Sequence, residues 1–320
     1  MKKQLSLIVR SLLLSGVAAT MLSSCIFLPP KENIEAMLEN GKVVTDEKPG
    51  TGNSVDMGSG NLGTGTQNGG AGSTGNENVS QTKHGLALVW HDEFDYTGVP
   101  DTTKWKYQTG DSGWGNHELQ NYLDNTTEAK TAVVEDNVLK IKAYNSGSKW
   151  YSARLNTKDH WKYGYIEARL KVTDRKGAWP AFWMMPQNSV YGTWPNSGEI
   201  DIMENAPSTC GNHKAFSTLH AEGHWGGKGA SIGAKVFDSD FSSEWHTFGV
   251  LWTEDTITSF YDDKQKGSYS NDGSVRNWPY DEDFYIILNL AIGGDLGGSG
   301  DVGSLNGNAE FLVDYVRVYQ

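Results

Sequence analysis

The chain has 320 residues and a formal net charge of −12. Apolar residues make up 37% of it, which is enough to bury the core of one large domain or of two ordinary ones. Because so acidic a protein repels polyanions, the composition excludes nucleic acid as a partner and favours neutral ligands.

The first residues have the pattern of an export signal. Lys2, Lys3 and Arg10 accompany an apolar run of roughly ten residues, and small residues follow, up to the sequence LSSC that ends at Cys25. The run is too short to favour a membrane span. We predict a signal peptide at residues 1–24, and its removal would leave a net charge of −15.

The sequence LSSC resembles the lipobox of bacterial lipoproteins, in which the cysteine is acylated and becomes the new N-terminus. The resemblance implies that Cys25 is lipidated and that the protein is exported and anchored to the cell envelope, at the outer membrane or the cell surface. Each buried methylene of an acyl chain contributes about 0.8 kcal/mol to such an anchor. The membrane would be contacted through lipid only, and a cleaved signal without lipid is the alternative.

Residues 26–83 form the next segment, and Gly, Asn, Ser and Thr dominate it from about residue 50. Such a composition buries too little apolar area to offset the entropy of an ordered chain. We predict a flexible linker between the anchor and a domain at residues 84–320.

The domain at residues 84–320 contains all 12 Trp and shows a period of two residues. Apolar and polar positions alternate in five stretches, separated by Gly, Asn, Asp and Pro: 138–144, 166–172, 246–252, 284–292 and 311–319. No stretch keeps a helical period over three turns. The pattern predicts one all-β domain, an antiparallel sandwich, whose curved sheet would offer a groove for an extended ligand.

The sequence SGEIDIMEN, residues 197–205, places Glu199, Asp201 and Glu204 in an otherwise apolar run. In a regular strand the first two acids share a face and Glu204 points to the other. A β-bulge near Ile202 or Met203 would put all three on one face. Paired carboxyl groups hydrolyse glycosidic bonds, whereas acids on an edge strand can simply oppose aggregation, and both interpretations stay open on the residues alone.

The sequence EIDIME, residues 199–204, resembles the bulged E-x-D-x-x-E signature of glycoside hydrolase family 16. GWGNHELQNY (113–122), GAWPAFWMMP (177–186) and VDYVRVYQ (313–320) resemble its laminarinase-like, endo-β-1,3-glucanase branch. The resemblance covers residues 86–320. It implies an antiparallel β-jelly-roll with a concave substrate cleft and a retaining double displacement.

The same resemblance assigns roles to the three acids. It implies that Glu199 is the nucleophile, Glu204 the general acid/base and Asp201 an assisting carboxylate that orients Glu199. Repulsion among three close acids predicts that the pKa of Glu204 is raised, which would keep it protonated near neutral pH.

Aromatic and polar residues of the matching motifs are predicted to bind the sugar. Pro180 and Pro186 disfavour a helix, so Trp179 and Trp183 should lie on one face of a strand, where indole can stack on sugar rings. Burial in the core, a surface ion pair or a satisfied interior polar group is the alternative for individual members. The predicted set is Trp114, Asn116, Glu118, Arg154, Trp179, Trp183, His220 and Asn289.

The resemblance also implies a structural calcium ion. Glu93 and Asp314, with a backbone carbonyl near Asn137, match the residues that hold calcium in many relatives, and oxygen ligands suit that ion. No cofactor is expected for the chemistry.

The sequence therefore predicts a monomeric endo-β-glucanase that cuts internal β-1,3 linkages of laminarin-like glucans. The alternatives are a mixed-linkage β-1,3/1,4-glucanase, a galactan hydrolase of the agar or carrageenan type, and a non-catalytic glucan-binding lipoprotein. The motifs leave the linkage preference, endo or exo action and the membrane leaflet undecided.

Overall fold

The structure is a computed structural model that describes residues 79–126 and 130–320. The predicted signal peptide, Cys25 and the linker up to residue 78 lie outside the described residues. Within the described ranges, no helix has the length and apolar character needed to cross a membrane.

Eighteen strands and a few short helices make up the described residues. In chain order the strands are β1 (Thr82–Lys83), β2 (Leu86–Asp92), β3 (Trp105–Tyr107), β4 (Gln120–Tyr122), β5 (Ala132–Glu135), β6 (Val138–Ser146), β7 (Lys149–Ser152), β8 (Arg154–Thr157), β9 (Gly164–Lys171), β10 (Ala178–Pro186), β11 (Glu199–Glu204), β12 (Lys214–His220), β13 (Ala230–Val236), β14 (His246–Trp252), β15 (Thr256–Tyr261), β16 (Lys264–Ser270), β17 (Phe284–Ile292) and β18 (Asn308–Tyr319). The helices are α1 (Pro207–Cys210), α2 (Gly294–Gly297) and two 3₁₀ segments, Gly226–Lys228 and Ser299–Leu305.

These strands form two sheets. The larger sheet has the order β16-β15-β14-β9-β18-β6-β7-β4, with β2 also paired to β18, β1 to β2 and β5 to β6. The smaller sheet has the order β13-β12-β11-β10-β17-β8-β3. Every strand pair is antiparallel except β4 with β7. The all-β prediction is confirmed, and β14 and β17 begin and end at the residues where the alternation does.

The core lies between the two sheets. In β14, Phe248, Val250 and Trp252 are fully buried, as the period of two residues requires for the inward face. In β10, Phe182 and Met184 are fully buried, while Trp183 and Met185 are half-exposed. The smaller sheet therefore has one face in the core and one face free to bind a ligand.

The linker ends earlier than the sequence predicted. Thr82 and Lys83 pair with Ala87 and Leu86, so they belong to the larger sheet and not to a linker that runs to residue 83. The Lys83 ammonium also binds the buried carboxylate of Glu167. Composition could not indicate this boundary, because the anchoring carboxylate lies 84 residues away in sequence.

Candidate active site

Strand β11 contains the predicted bulge. On β10, Phe182 pairs with Met203 and the next residue, Trp183, pairs with Asp201, so Ile202 has no opposite residue. The register against β12 shifts over the same stretch. The extra residue reverses the alternation after Asp201 and brings Glu204 onto the face of Glu199 and Asp201.

A hydroxyl group supports the bulge. The carbonyl oxygen of Ile202 accepts a hydrogen bond of 2.6 Å from the Ser217 hydroxyl, which also lies 2.8 Å from the Tyr261 hydroxyl. A bulged residue loses its regular ladder partner, and a buried carbonyl without a partner is costly. Ser217 therefore supplies a bond that β12 would otherwise have supplied through its backbone.

Asp201 and Glu204 lie in an environment that favours their neutral forms. Burial, with the nearby charge of Asp201, raises the pKa of Glu204 well above the usual range of a glutamate. Burial, with the charge of Glu199 and a hydrogen bond to it, likewise raises the pKa of Asp201. The predicted rise in the pKa of Glu204 is thus present, but its largest cause is loss of hydration and not like-charge repulsion. The pKa of Asp201 is raised as well.

Two indole groups donate hydrogen bonds to the glutamates. Trp194 Nε1 lies 2.7 Å from Glu199 Oε2, and Trp179 Nε1 lies 2.9 Å from Glu204 Oε1. Each bond fixes one oxygen of a carboxyl group and leaves the other to react. The sequence predicts Trp179 as a platform for sugar rings, and in the structure its indole also donates a hydrogen bond to Glu204.

His220 lies beside Glu199 and Asp201. It pairs with Glu199 across β11 and β12, and its Nε2 lies 3.1 Å from Asp201 Oδ2, without the alignment of a hydrogen bond. It is not among the residues that line the cleft. His220 therefore contacts the carboxyl group of Asp201, and its predicted contact with the sugar stays a prediction.

The acids lie in a cleft with a cavity of about 340 Å³. Strands β8, β10, β11 and β17, with the segment before β4, supply its walls. The lining residues that sequence analysis singled out are Trp114, Asn116, Glu118, Arg154, Trp179, Trp183, Glu199, Asp201, Glu204 and Asn289. Eight residues were predicted to bind substrate, and of these only His220 is absent from the lining.

This arrangement is a pair of glutamates on one sheet face, one of them with a raised pKa, inside a cleft lined by aromatic side chains. The sequence model described as "Glycosyl hydrolases family 16" matches residues 119–309 of the chain. The chain belongs to glycoside hydrolase family 16.

Relatives in this family are similar over most of the domain. A β-glucanase of Rhodothermus marinus is 37% identical over 246 residues, which are 73% of this chain and 85% of that protein. A glucan endo-1,3-β-glucosidase of Cryptopygus antarcticus is 39% identical over 259 residues, 73% of this chain and 92% of that protein. The X-ray structure of the laminarinase from Rhodothermus marinus matches with a TM-score of 0.68 and 36% identity, over 73% of this chain and 97% of that chain.

The fold is accordingly the family 16 jelly-roll with a concave cleft, and the protein is a glycoside hydrolase. In the cleft, a hydrogen-bond chain runs from the aromatic wall to a buried carboxyl group. Trp183 Nε1 donates to Asn289 Oδ1 (2.7 Å), Asn289 Nδ2 donates to the Tyr122 hydroxyl (3.0 Å), and that hydroxyl donates to Glu118 Oε2 (3.1 Å). Burial raises the pKa of Glu118 above the usual range. This series of hydrogen bonds fixes the orientation of the Trp183 ring.

Arg154 lies between two rings of the cleft. Its guanidinium carbon is 4.8 Å from the centroid of the Trp114 ring and 4.6 Å from that of Trp183. Its Nε donates to Gln108 Oε1. Arg154 is therefore not a surface ion pair: its cation stacks on the two indoles and holds the wall together.

Several site residues were missed in the sequence. Trp194 precedes Glu199 by five residues, and nothing in TWPNSGEID shows that the loop folds back onto Glu199. Gln120 Nε2 donates to Glu118 Oε2 at 2.6 Å, and Tyr122 bonds to the same oxygen. The alternation of Glu118, Gln120 and Tyr122 on one face was a signal that could have grouped them.

The predicted calcium ligands are engaged by arginines. Strand β18 changes partner from β6 to β2 near Asp314, which brings Glu93 and Asn137 toward that residue. Both oxygens of Glu93, however, accept bonds from Arg317 (2.9 and 2.7 Å), and Asp314 Oδ2 accepts one from Arg169 (2.7 Å). Since a guanidinium neutralises each carboxylate, this side-chain set does not fit a calcium ion, and no step below uses one.

Glu199, Asp201 and His220 form a second group with the chemistry of a metal site. Their ligand atoms lie within 4.8 Å of one another. The group coincides with the proposed nucleophile and its neighbour, so we interpret it through acid chemistry.

Proposed function

We propose that the protein is a retaining endo-β-glucanase that cleaves internal β-1,3 linkages. The observation that carries the proposal is the bulge at Ile202, because it puts Glu199 and Glu204 on the same cleft face with Asp201 between them. Retaining hydrolysis needs one ionised and one protonated carboxyl group on either side of the scissile bond.

In the first step Glu199 attacks the anomeric carbon. The glycosidic bond breaks as the Glu204 proton moves to the leaving oxygen, and a glycosyl ester forms on Glu199. The raised pKa of Glu204 supports this role, since the acid must hold its proton at the working pH. The Trp194 indole donates to Glu199 Oε2 and orients the nucleophile.

In the second step a water molecule replaces the leaving sugar. Glu204, now ionised, accepts a proton from the water, which attacks the anomeric carbon and releases Glu199. Asp201 keeps its own proton throughout, because its pKa is raised by burial and by Glu199, and its hydrogen bond to Glu199 weakens when the ester forms. The product keeps the β configuration.

The choice of β-1,3 linkages is supported by the names of relatives, including a glucan endo-1,3-β-glucosidase that is 39% identical. Mixed-linkage β-1,3/1,4-glucan is the second candidate. The N-terminal sequence supports an exported lipoprotein acylated at Cys25, anchored at the outer membrane or the cell surface. We propose a monomer that contacts the membrane through lipid alone.

A substrate panel tests the proposal. Laminarin, lichenan, barley glucan, agarose and carrageenan would each be incubated with the enzyme, and the products sized over time. We expect laminarin to be cut fastest, with oligosaccharides of mixed length appearing early, as endo action requires. Faster cleavage of lichenan would make the protein a mixed-linkage enzyme, and exclusive release of one short product would contradict endo action.

A further inference from the structure

Two exposed tryptophans lie on the nucleophile's side of the cleft. Trp194 is 45% exposed and Trp225 is 53% exposed. Their ring centroids are 5.8 Å apart and their planes meet at 77°, so the edge of one ring packs on the other. Trp194 lines the cavity, whereas Trp225 lies outside the lining residues. The aromatic surface therefore continues from the cavity onto the loop that joins β12 to β13, residues 221–229.

The loop at residues 221–229 has an ordered backbone. Ala221 and His224 exchange backbone hydrogen bonds of 2.8 and 3.0 Å, and the Gly223 amide donates to the Arg276 carbonyl at 2.8 Å. At the end of the loop, a Cβ on Gly229 would lie 2.6 Å from the His220 ring. The loop is thus pinned at both ends, and one end packs against a residue of the acid cluster.

Trp225 is directed outward by its neighbour. His224 Nε2 lies 3.3 Å from the Tyr280 hydroxyl, and its ring centroid is 5.1 Å from that of Tyr269. Burial lowers the pKa of His224 to about 4, so the ring packs as a neutral group. Trp225 has an extended backbone (φ −149°, ψ 166°), and successive extended residues point to opposite sides. The loop holds the indole in solvent before any ligand binds.

Exposed indole surface of this kind fits a sugar. The large hydrophobic side chains that are exposed in the described residues include only two aromatic ones, and these two are in contact beside the nucleophile. A solitary exposed apolar residue needs no explanation, but a held cluster marks a binding surface. In β-linked glucose the hydroxyls are equatorial, so both faces of the ring present C–H groups that can pack on indole.

We propose that Trp225, braced by Trp194, is a subsite for a glucosyl unit of the substrate that lies outside the cavity. A bound glucan then crosses β11 from the cavity to the loop at residues 221–229. The subsite rests on the proposed glucanase function and extends it, because it makes cleavage depend on chain length. A chain too short to reach Trp225 is bound by the cavity alone.

Chain-length kinetics test this subsite. The value of kcat/KM would be measured for laminari-oligosaccharides of increasing length with the wild type, Trp225→Ala and Trp225→Phe. We expect Trp225→Ala to lower kcat/KM by about tenfold on the long substrates, mainly through KM, and to leave the shortest cleaved substrate unchanged. Trp225→Phe should restore most of the difference, since it keeps an aromatic face.

The control is Trp245→Ala. Trp245 lies next to β14 and packs under Arg169 and Lys171 of β9, in the larger sheet, so its loss should not alter chain-length dependence. If kcat/KM depends on chain length in the same way in the wild type and in Trp225→Ala, the subsite is overturned. An equal loss of kcat/KM on substrates of every length would also overturn it, because such a loss would mean that the substitution acts through Trp194. If the wild type cleaves no β-1,3 oligosaccharide, the proposed function fails and not the subsite. Oligosaccharides of increasing length from the glucan that the enzyme does cleave would then test Trp225.

Discussion

In the proposed mechanism, Glu204 is protonated when the substrate binds and ionised once the leaving group has departed. The burial of Glu204 could not be predicted from the residues next to it in sequence, because other strands surround it. Trp179 of β10 donates a hydrogen bond to it, and Phe216 of β12 pairs with it. The face of Glu204 was predictable from EIDIME, and its role as the acid stays a prediction. The sequence did not predict that lost hydration raises the pKa of Glu204 more than charge repulsion does, since this depends on how the sheet packs.

Glu204→Gln separates proton transfer from attack. Hydrolysis of the polysaccharide should fall by about 10²–10⁴-fold, the range that positioned proton transfer contributes. An aryl β-glucoside with a good leaving group needs no proton, so its first turnover should still release a burst of phenol near the wild-type rate. Wild-type kcat/KM on polysaccharide should fall as pH rises through the raised pKa of Glu204.

Glu310→Gln is the matched control for that variant, because Glu310 is an exposed carboxyl group on β18 of the other sheet. It should behave as wild type in both assays. An equal loss in the aryl and polysaccharide reactions of Glu204→Gln would argue that Glu204 is not the acid.

At the scale of elements, β11 and β12 determine whether the acids meet. The bulge in β11 was predictable, since three acids with mismatched parity needed one extra residue, whereas β12 was not among the predicted strands. The support of the bulge was not predictable: the Ser217 hydroxyl reaches Ile202 from a neighbouring strand 15 residues on. Sequence spacing does not report which hydroxyl satisfies which carbonyl.

Ser217→Ala tests that support. It leaves the buried carbonyl of Ile202 without its donor, which should cost about 1–3 kcal/mol of unfolding free energy. Because the bulge then loosens, kcat should fall by about tenfold with little change in KM, since a small displacement of a reacting group lowers the rate strongly. Urea unfolding and steady-state kinetics measure the two effects.

Ser259→Ala provides the comparison. The Ser259 hydroxyl donates a bond of the same length, 2.6 Å, to the carbonyl of Ile232, and it too is buried, but it lies in β15. Both variants should lose similar stability, and only Ser217→Ala should lose kcat. Equal kcat values in the two variants would show that the bulge holds without Ser217.

For the whole molecule, the acid cluster lowers stability at the pH where it works. Asp201 and Glu204 have raised folded pKa values, so the stability that each contributes is present below its unfolded pKa and is lost as pH rises through the folded pKa. The sandwich was predictable from alternation. The residue at which the domain begins was not predictable, because Lys83 forms an ion pair with Glu167, which is distant in sequence.

Asp201→Asn should therefore stabilise the protein at pH 7.5 by about 0.5–2 kcal/mol, the usual size of a stabilising substitution at a functional site, while lowering activity. The gain should shrink toward pH 4, where the carboxyl group becomes protonated in the unfolded wild-type chain as well. Urea midpoints at the two pH values measure it. Asp255→Asn, at an exposed position, should show no gain. A loss of stability at pH 7.5 would mean that Asp201 is ionised in the fold.

The central claim is that Glu199 and Glu204 act from one face as nucleophile and acid/base of a double displacement. Following the first minutes of laminarin hydrolysis by proton NMR tests it most directly, because the anomeric signal of the new reducing end appears before mutarotation. The account predicts the β anomer first, with the α anomer growing later. An initial α anomer would contradict the double displacement and the roles given to both glutamates.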